Sequence, residues 1–144
     1  MSNSFASSIG PDQSLPARFL GIEIGGTKLQ LAVGCGDGSP FDAFERCDID
    51  RQRGAAAILE QIERIGRALL ARHRVERIGI GFGGPVRAAE GRVTTSHQVT
   101  GWDEFPLAEW CRTTFAVPAV LGNDCDAAAL AEARFGAGRG RRIV

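Results

Sequence analysis

Between Phe19 and Gly34 the chain alternates. Leu20, Ile22 and Ile24 fall on one side of an extended backbone, with Gly21 and Glu23 on the other. After Gly25-Gly26-Thr27 the alternation resumes, with Leu29, Leu31 and Val33 facing one way and Gln30 and Ala32 the other. Each run predicts a strand with one buried face. The stretch GCGDGSP (34–40) is a turn cluster, and FDAFERCDI (41–49) predicts a third strand. Three strands with short connections make an antiparallel meander.

The period then changes. Ile58, Ile62, Ile65 and Leu69 recur at helical spacing, widened by Leu59 and Leu70, which predicts a helix over 54–73. Glu60 with Arg64 and Glu63 with Arg67 are i,i+4 pairs in the favourable order. RIGIGFGGPV (77–86) predicts a strand whose apolar residues alternate with glycines, a face left bare for close approach. Residues 86–94 predict a small hairpin around Glu90-Gly91, and 106–115 a helix with proline in its first turn. PAVLG (118–122) predicts a short strand. NDCDAAALAEARFGAG (123–138) predicts a helix closed by Gly136, and the terminal RRIV reads as a strand beginning. These elements predict an α/β fold class, with one domain over 18–144 and a polar, disordered segment at 1–17.

Composition narrows the function. Seventeen basic residues balance seventeen acidic ones, with 44% hydrophobic and 24% charged residues, the profile of a globular domain. Nothing in that balance favours nucleic acid or an anionic membrane as a partner. The basic cluster Arg139–Arg142 reads as a solvated end. Cys35, Cys47, Cys111 and Cys125 form no C-x-x-C pair and no zinc spacing, so they read as reduced residues of a cytoplasmic protein. No apolar run approaches the roughly 20 residues a membrane span needs, and 1–17 lacks the pattern of a signal peptide.

The Gly-Gly turn carries the first candidate chemistry. A plain hairpin would use such a pair for its tolerance of positive φ. Here Thr27 adds a hydroxyl and Lys28 a cation beside backbone N–H groups that an anion can approach. Glu23, on the face opposite Ile22 and Ile24, suits a magnesium ion beside phosphates. No helix follows the turn, so neither a Walker A loop nor a dinucleotide fingerprint fits. GIGFGG (79–84) fails for the same reason.

GIEIGGTK (21–28), IGIGFGGPV (78–86), SHQVTGW (96–102) and NDCDAAALAEARFGAG (123–138) stand in the order and spacing of the ROK family, and from residue 18 onward the chain resembles it. That resemblance implies a ribonuclease H-like, actin-like ATPase lobe and ATP-dependent phosphorylation of a hexose or amino sugar, as in glucokinases and fructokinases. It implies ATP phosphates at Gly25, Gly26, Thr27 and Lys28, and magnesium at Glu23, where many members carry Asp. It implies a sugar cleft at Gly83, Gly84 and Pro85. Gln98 stands where many kinases place a sugar-contacting Asn. Asn123 and Asp124 match a pair that binds the sugar, with Asp124 as catalytic base.

An Asn or Asp before a helix is also the commonest N-cap, and Asp126 stands where a reciprocal cap partner would. His97 reads as a solvated loop residue and His73 as a cation at a helix end. Trp102 and Trp110 read as packing, and Cys125 as a small buried filler. The family's chains continue past the equivalent of RRIV into a second phosphate turn, an adenosine pocket and, in many members, a structural zinc site. The resemblance therefore implies the N-terminal lobe of a two-lobed kinase, homodimeric when full-length and inactive as this piece. The alternative is a non-catalytic or regulatory sugar-binding ROK protein. A repressor would need a winged helix-turn-helix ahead of the glycine hairpin, and the first 20 residues have no helical period.

Overall fold

The computed structural model describes residues 16–142. Most of the polar segment assigned to 1–17 therefore lies outside the described residues, as do Ile143 and Val144 of the expected last strand. The elements are β1 (Phe19–Ile24), β2 (Lys28–Gly34), β3 (Ala43–Asp48), α1 (Gly54–Leu70), β4 (Arg77–Phe82), β5 (Val86–Arg87), β6 (Arg92–Val93), α2 (Leu107–Phe115), β7 (Ala119–Asn123) and α3 (Asp124–Phe135). Five strands form one sheet in the order β3-β2-β1-β4-β7. β1, β2 and β3 are the antiparallel meander, while β4 and β7 join parallel to β1 and to each other. β5 and β6 are the small hairpin, turning through Gly91.

Parallel pairing needs crossovers, and the helical periods supply them. α1 buries Ile58, Ile62, Ile65 and Leu69 against Leu20, Ile22, Leu29, Leu31 and Val33, which are at most 2% exposed. Burying each such side chain contributes about 1.5–3 kcal/mol. α2 adds Leu107, Cys111 and Phe115 to the same core. The other face of the sheet carries Gly21, Ala32, Gly79, Val120 and Gly122. α3 stands over it with no residue buried, leaving a groove of about 1680 Å³ lined also by Ala127, Leu130 and Ala131. Phe41, Phe44, Val120, Leu130 and Phe135 are exposed.

Four local readings change. β4 ends at Phe82 rather than 86, because the chain turns at Gly83 and Gly84, where the Gly84 N–H bonds back to the Phe82 carbonyl at 2.9 Å. α1 ends at Leu70, and Pro106 sits one residue before α2, at its N-cap. Glu63 pairs with Arg67 at 2.8 Å, but Glu60 meets Arg53 across the first two turns instead of Arg64. Trp102 is packing as expected: it is 1% exposed and edge-on to Phe82 and Phe105. That anchor fixes the loop between β6 and α2, whose Thr100 carbonyl accepts the Ala55 N–H at 2.8 Å. Gly54, with φ at 68°, makes the turn there.

Two glycines should respond oppositely to alanine. A Cβ on Gly66 of α1 would stand 2.7 Å from Cζ of Phe115, where α1 crosses α2. Overpacking costs about 1–3 kcal/mol, more than the roughly 1 kcal/mol alanine gains over glycine in a helix. Gly66→Ala is therefore expected to lower stability in urea denaturation. Nothing lies within 4 Å of a Cβ on Gly79, so Gly79→Ala is expected to leave stability unchanged or raise it by up to about 1 kcal/mol.

Candidate functional site

The Gly-Gly turn joins β1 to β2 at the end of the sheet where β4 and β7 also finish. Neither Gly25 nor Gly26 has positive φ, so the plain hairpin's conformational reason for the pair does not apply. The reason is space. A Cβ on Gly26 would overlap the side-chain amide of Gln98, which lies over the turn. Three carbonyls of the turn are occupied: Gly26 O accepts from Nε of Arg51 at 2.5 Å, Thr27 O from the Ile49 N–H at 3.0 Å, and Lys28 O from the Gly25 N–H at 2.9 Å. Among the described residues the N–H groups of Gly26 and Thr27 donate to none. Occupied acceptors beside open donors make the tip attractive to an anion.

Asp124 opens α3 directly after β7. Asn123 is the N-cap, its Oδ1 accepting from the N–H groups of Cys125 (3.0 Å) and Asp126 (3.3 Å). Its Nδ2 donates to the carbonyls of Gly84 (3.1 Å) and Phe82 (3.4 Å), tying the turn after β4 to the start of α3. The amide is thus fully engaged within the protein. The reciprocal cap expected of Asp126 is not formed; instead Asp124 Oδ1 also accepts from the Cys125 N–H, at 2.8 Å. Asp124 Oδ2 faces Gly83. A Cβ on Gly83 would stand 3.2 Å from that oxygen, 3.2 Å from the Ile24 carbonyl and 3.4 Å from Cα of Gly25. The carboxylate and the glycine hairpin are therefore neighbours, separated by one glycine.

The remaining candidates divide. Glu23 lines the groove with Gly81, Gly84, Asn123 and Asp124, and its Oε2 accepts from Nε2 of Gln30 at 2.6 Å. No group of three or more His, Cys, Asp or Glu side chains that could hold a metal exists among the described residues. Magnesium still suits this donor set, because it keeps several waters and takes one or two carboxylates beside phosphate oxygens. Lys28 reaches sideways to Asp48 and forms an ion pair. Gln98 sits on the hairpin rather than in the groove, and His97 is exposed. Arg51 and Gln30 escaped the sequence reading. Gln30 had a signal, since alternation puts it beside Glu23; Arg51 lies in an aperiodic polar stretch and had none.

A model of the ROK family matches residues 19–144. The chain belongs to the ROK family. It is 29% identical to the glucokinase of Streptomyces coelicolor over 125 residues, which are 87% of this chain and 38% of that one. Its fold superposes with a TM-score of 0.77, at 30% identity, on a ROK glucokinase from Streptomyces griseus in complex with glucose and AMPPNP, covering 86% of this chain and 38% of that one. A ROK family transcriptional regulator, a homologue of the MLC protein of E. coli, superposes with a TM-score of 0.69 at 26% identity, covering 83% and 31%. The chain spans less than two fifths of the length of the first curated relatives it matches. Among the described residues of this ROK chain no helix is long and apolar enough to cross a membrane.

All four cysteines are free. Burial pushes the Cys111 thiol up to about 12. Cys125 is exposed, not the buried filler expected, because α3 turns no face into the core. The adjacent Asp124 carboxylate, by charge and then by hydrogen bond, pushes the Cys125 thiol up. Cys125 thus reports the charge on Asp124. At pH 8 an anion beside a thiol lowers its thiolate fraction, the reactive form. Asp124→Asn is expected to speed modification of Cys125 by a disulfide reagent severalfold, followed by peptide mass mapping. An unchanged rate would show that the two groups are not electrostatically coupled.

Proposed function

We propose that residues 18–144 act as the N-terminal lobe of a two-lobed sugar kinase, transferring a phosphoryl group from ATP to a hexose hydroxyl with Asp124 as base. The observation that carries this reading is the junction at Gly83, where Asp124 Oδ2 and the Gly25 backbone flank one glycine. A phosphoryl acceptor and its donor must meet in line, and positioning is most of what such a site supplies. In this reading the open N–H groups of Gly26 and Thr27 hold the terminal phosphates, and the sugar lies along Gly83, Gly84 and Asp124. The sugar oxygen bonds to the γ-phosphorus as the bond to the bridging oxygen breaks and ADP leaves. Asp124 orients the hydroxyl and takes its proton late, since bond-making trails bond-breaking in a loose transition state.

Asn123 acts through the Gly84 carbonyl, keeping the cleft turn against α3, and Gln98 lies over Gly26 of the hairpin. Glu23, steadied by Gln30, would hold magnesium through water, where the ion neutralises charge on the phosphates. The glucokinase relatives and the glucose complex of a structural neighbour support a hexose acceptor. The regulator neighbour supports a second reading, sugar binding without transfer.

A lobe swap tests the two. Residues 19–142 replace the matching segment of the Streptomyces griseus glucokinase, and glucose phosphorylation is followed in a coupled assay. The swapped enzyme is expected to turn over, and Asp124→Asn to cut turnover at least about 100-fold, the low end of a general-base contribution. Melting temperature should barely move, since Asn123 rather than Asp124 is the N-cap of α3. Turnover of the variant within about threefold of its parent would place the base elsewhere. Glucose binding without turnover in the parent swap would favour sensing.

A further inference from the structure

We propose that Arg51 is a positioning residue of the phosphate hairpin, holding the Gly26 carbonyl so that the Thr27 amide is aimed at the anion. This rests on the kinase reading of the hairpin. Arg51 Nε donates to Gly26 O at 2.5 Å, and every described peptide bond is trans. In a trans peptide the carbonyl of one residue and the N–H of the next lie in one plane and point in opposite directions. Tying Gly26 O to Arg51 therefore turns the Thr27 N–H away from Arg51, and that N–H has no partner among the described residues. Without the tie, the Gly26–Thr27 peptide is free to rotate, because glycine on one side offers little resistance.

The surroundings hold Arg51 in place for this. Asp50 caps the short turn Arg51–Arg53, its Oδ1 accepting from the Gln52 N–H at 3.0 Å. Just before it, the Ile49 N–H donates to the Thr27 carbonyl, and the Asp48 carboxylate pairs with Lys28. The segment from Asp48 to Arg51 thus grips three successive residues of the hairpin from one side. Lys28, the cation the motif offers to phosphate, is diverted to Asp48, which leaves the backbone donors as the hairpin's main anion contacts. Their direction then decides affinity, and Arg51 sets the direction of one of them.

Arg51→Gln and Arg51→Met separate this role from plain charge. Gln places Nε2 on the same Cδ that carries Nε in Arg, so it keeps the donor and loses the charge. Met loses both. Uniformly labelled 144-residue protein is titrated with inorganic tripolyphosphate, and the amide resonances of Gly26 and Thr27 are followed by NMR. The wild type is expected to show saturable shifts at both. Arg51→Gln should bind within about threefold of it, and Arg51→Met at least about tenfold more weakly, the scale of one lost hydrogen bond from a charged donor. The Ile22 and Leu31 amides report that the core is intact.

Equal binding by wild type and Arg51→Met overturns the proposal. So does an equal loss in Arg51→Gln and Arg51→Met, which would mean charge alone matters. A through-bond coupling between Arg51 Nε and the Gly26 carbonyl carbon, measured in unmodified protein, is expected, and its absence overturns the proposal without any variant. Wild-type protein with no shift at Gly26 or Thr27 overturns the phosphate reading itself.

Discussion

The candidate site depends on how closely three stretches of backbone approach one another at one end of the sheet. A Cβ on Gly81 would lie 3.5 Å from Cα of Asp124, and one on Gly83 would be wedged between the Asp124 carboxylate and the Ile24–Gly25 backbone. Neither glycine has positive φ. Their absence of a side chain lets α3 begin against β4 and lets the turn after β4 lie against the hairpin. The Gly83 N–H to Ile24 carbonyl bond of 2.8 Å extends the β1–β4 ladder by one step and sets that spacing. A Cβ at Gly83 would make the Asp124 carboxylate or the Ile24–Gly25 backbone give by a few tenths of an ångström.

The fold was legible where two periods differ. Alternation through Leu20, Ile22, Ile24 and Leu29, Leu31, Val33 marked the strands of the core, and Ile58, Ile62, Ile65 and Leu69 marked the helix that covers them. Boundaries set by tertiary contacts were not legible. Gly83 continues the apolar–glycine alternation of β4 by one step, and the Gly84 N–H to Phe82 carbonyl bond together with the bonds from Asn123 turns the chain out of the strand. The candidate residues were found through motifs, but their partners were not. Asp48 facing Lys28 and Arg51 reaching Gly26 come from a segment more than 19 positions away. Nothing in its sequence signals the turn it will meet, because register between β2 and β3 decides that. Exposure of Cys125 had a similar cause: α3 is composed like a helix with a small apolar face, yet the sheet beneath it is glycine-lined and the two do not close.

That open groove shows why period alone could not name the working face of the sheet. On β1 the core face reads Leu20, Ile22, Ile24 and the other reads Gly21, Glu23. On β4 the same division gives Ile78, Ile80, Phe82 against Gly79, Gly81. Small residues on one face are equally consistent with close packing by a helix or with room for a ligand. A Cβ on Gly79 would meet nothing, whereas one on Gly81 would touch Asp124. The room therefore narrows toward the hairpin end, where the chemically capable residues gather.

Asn and Asp together at the start of α3 resolve a conflict that either alone would face. A helix N-terminus needs an acceptor for its first N–H groups, and in the proposed kinase reading a base needs a carboxylate oxygen free of such duties. Asn123 Oδ1 takes the Cys125 and Asp126 N–H groups, so capping does not depend on Asp124. Asp124 takes the Cys125 N–H through Oδ1. Its Oδ2 faces the glycine turn beside the hairpin. Capping by a neutral amide also leaves its donor end for the Phe82 and Gly84 carbonyls, which a carboxylate in that position could not satisfy. Reversing the order of the two residues would lose both arrangements: the carboxylate would be held at the cap, and the turn after β4 would lose the donors that position it.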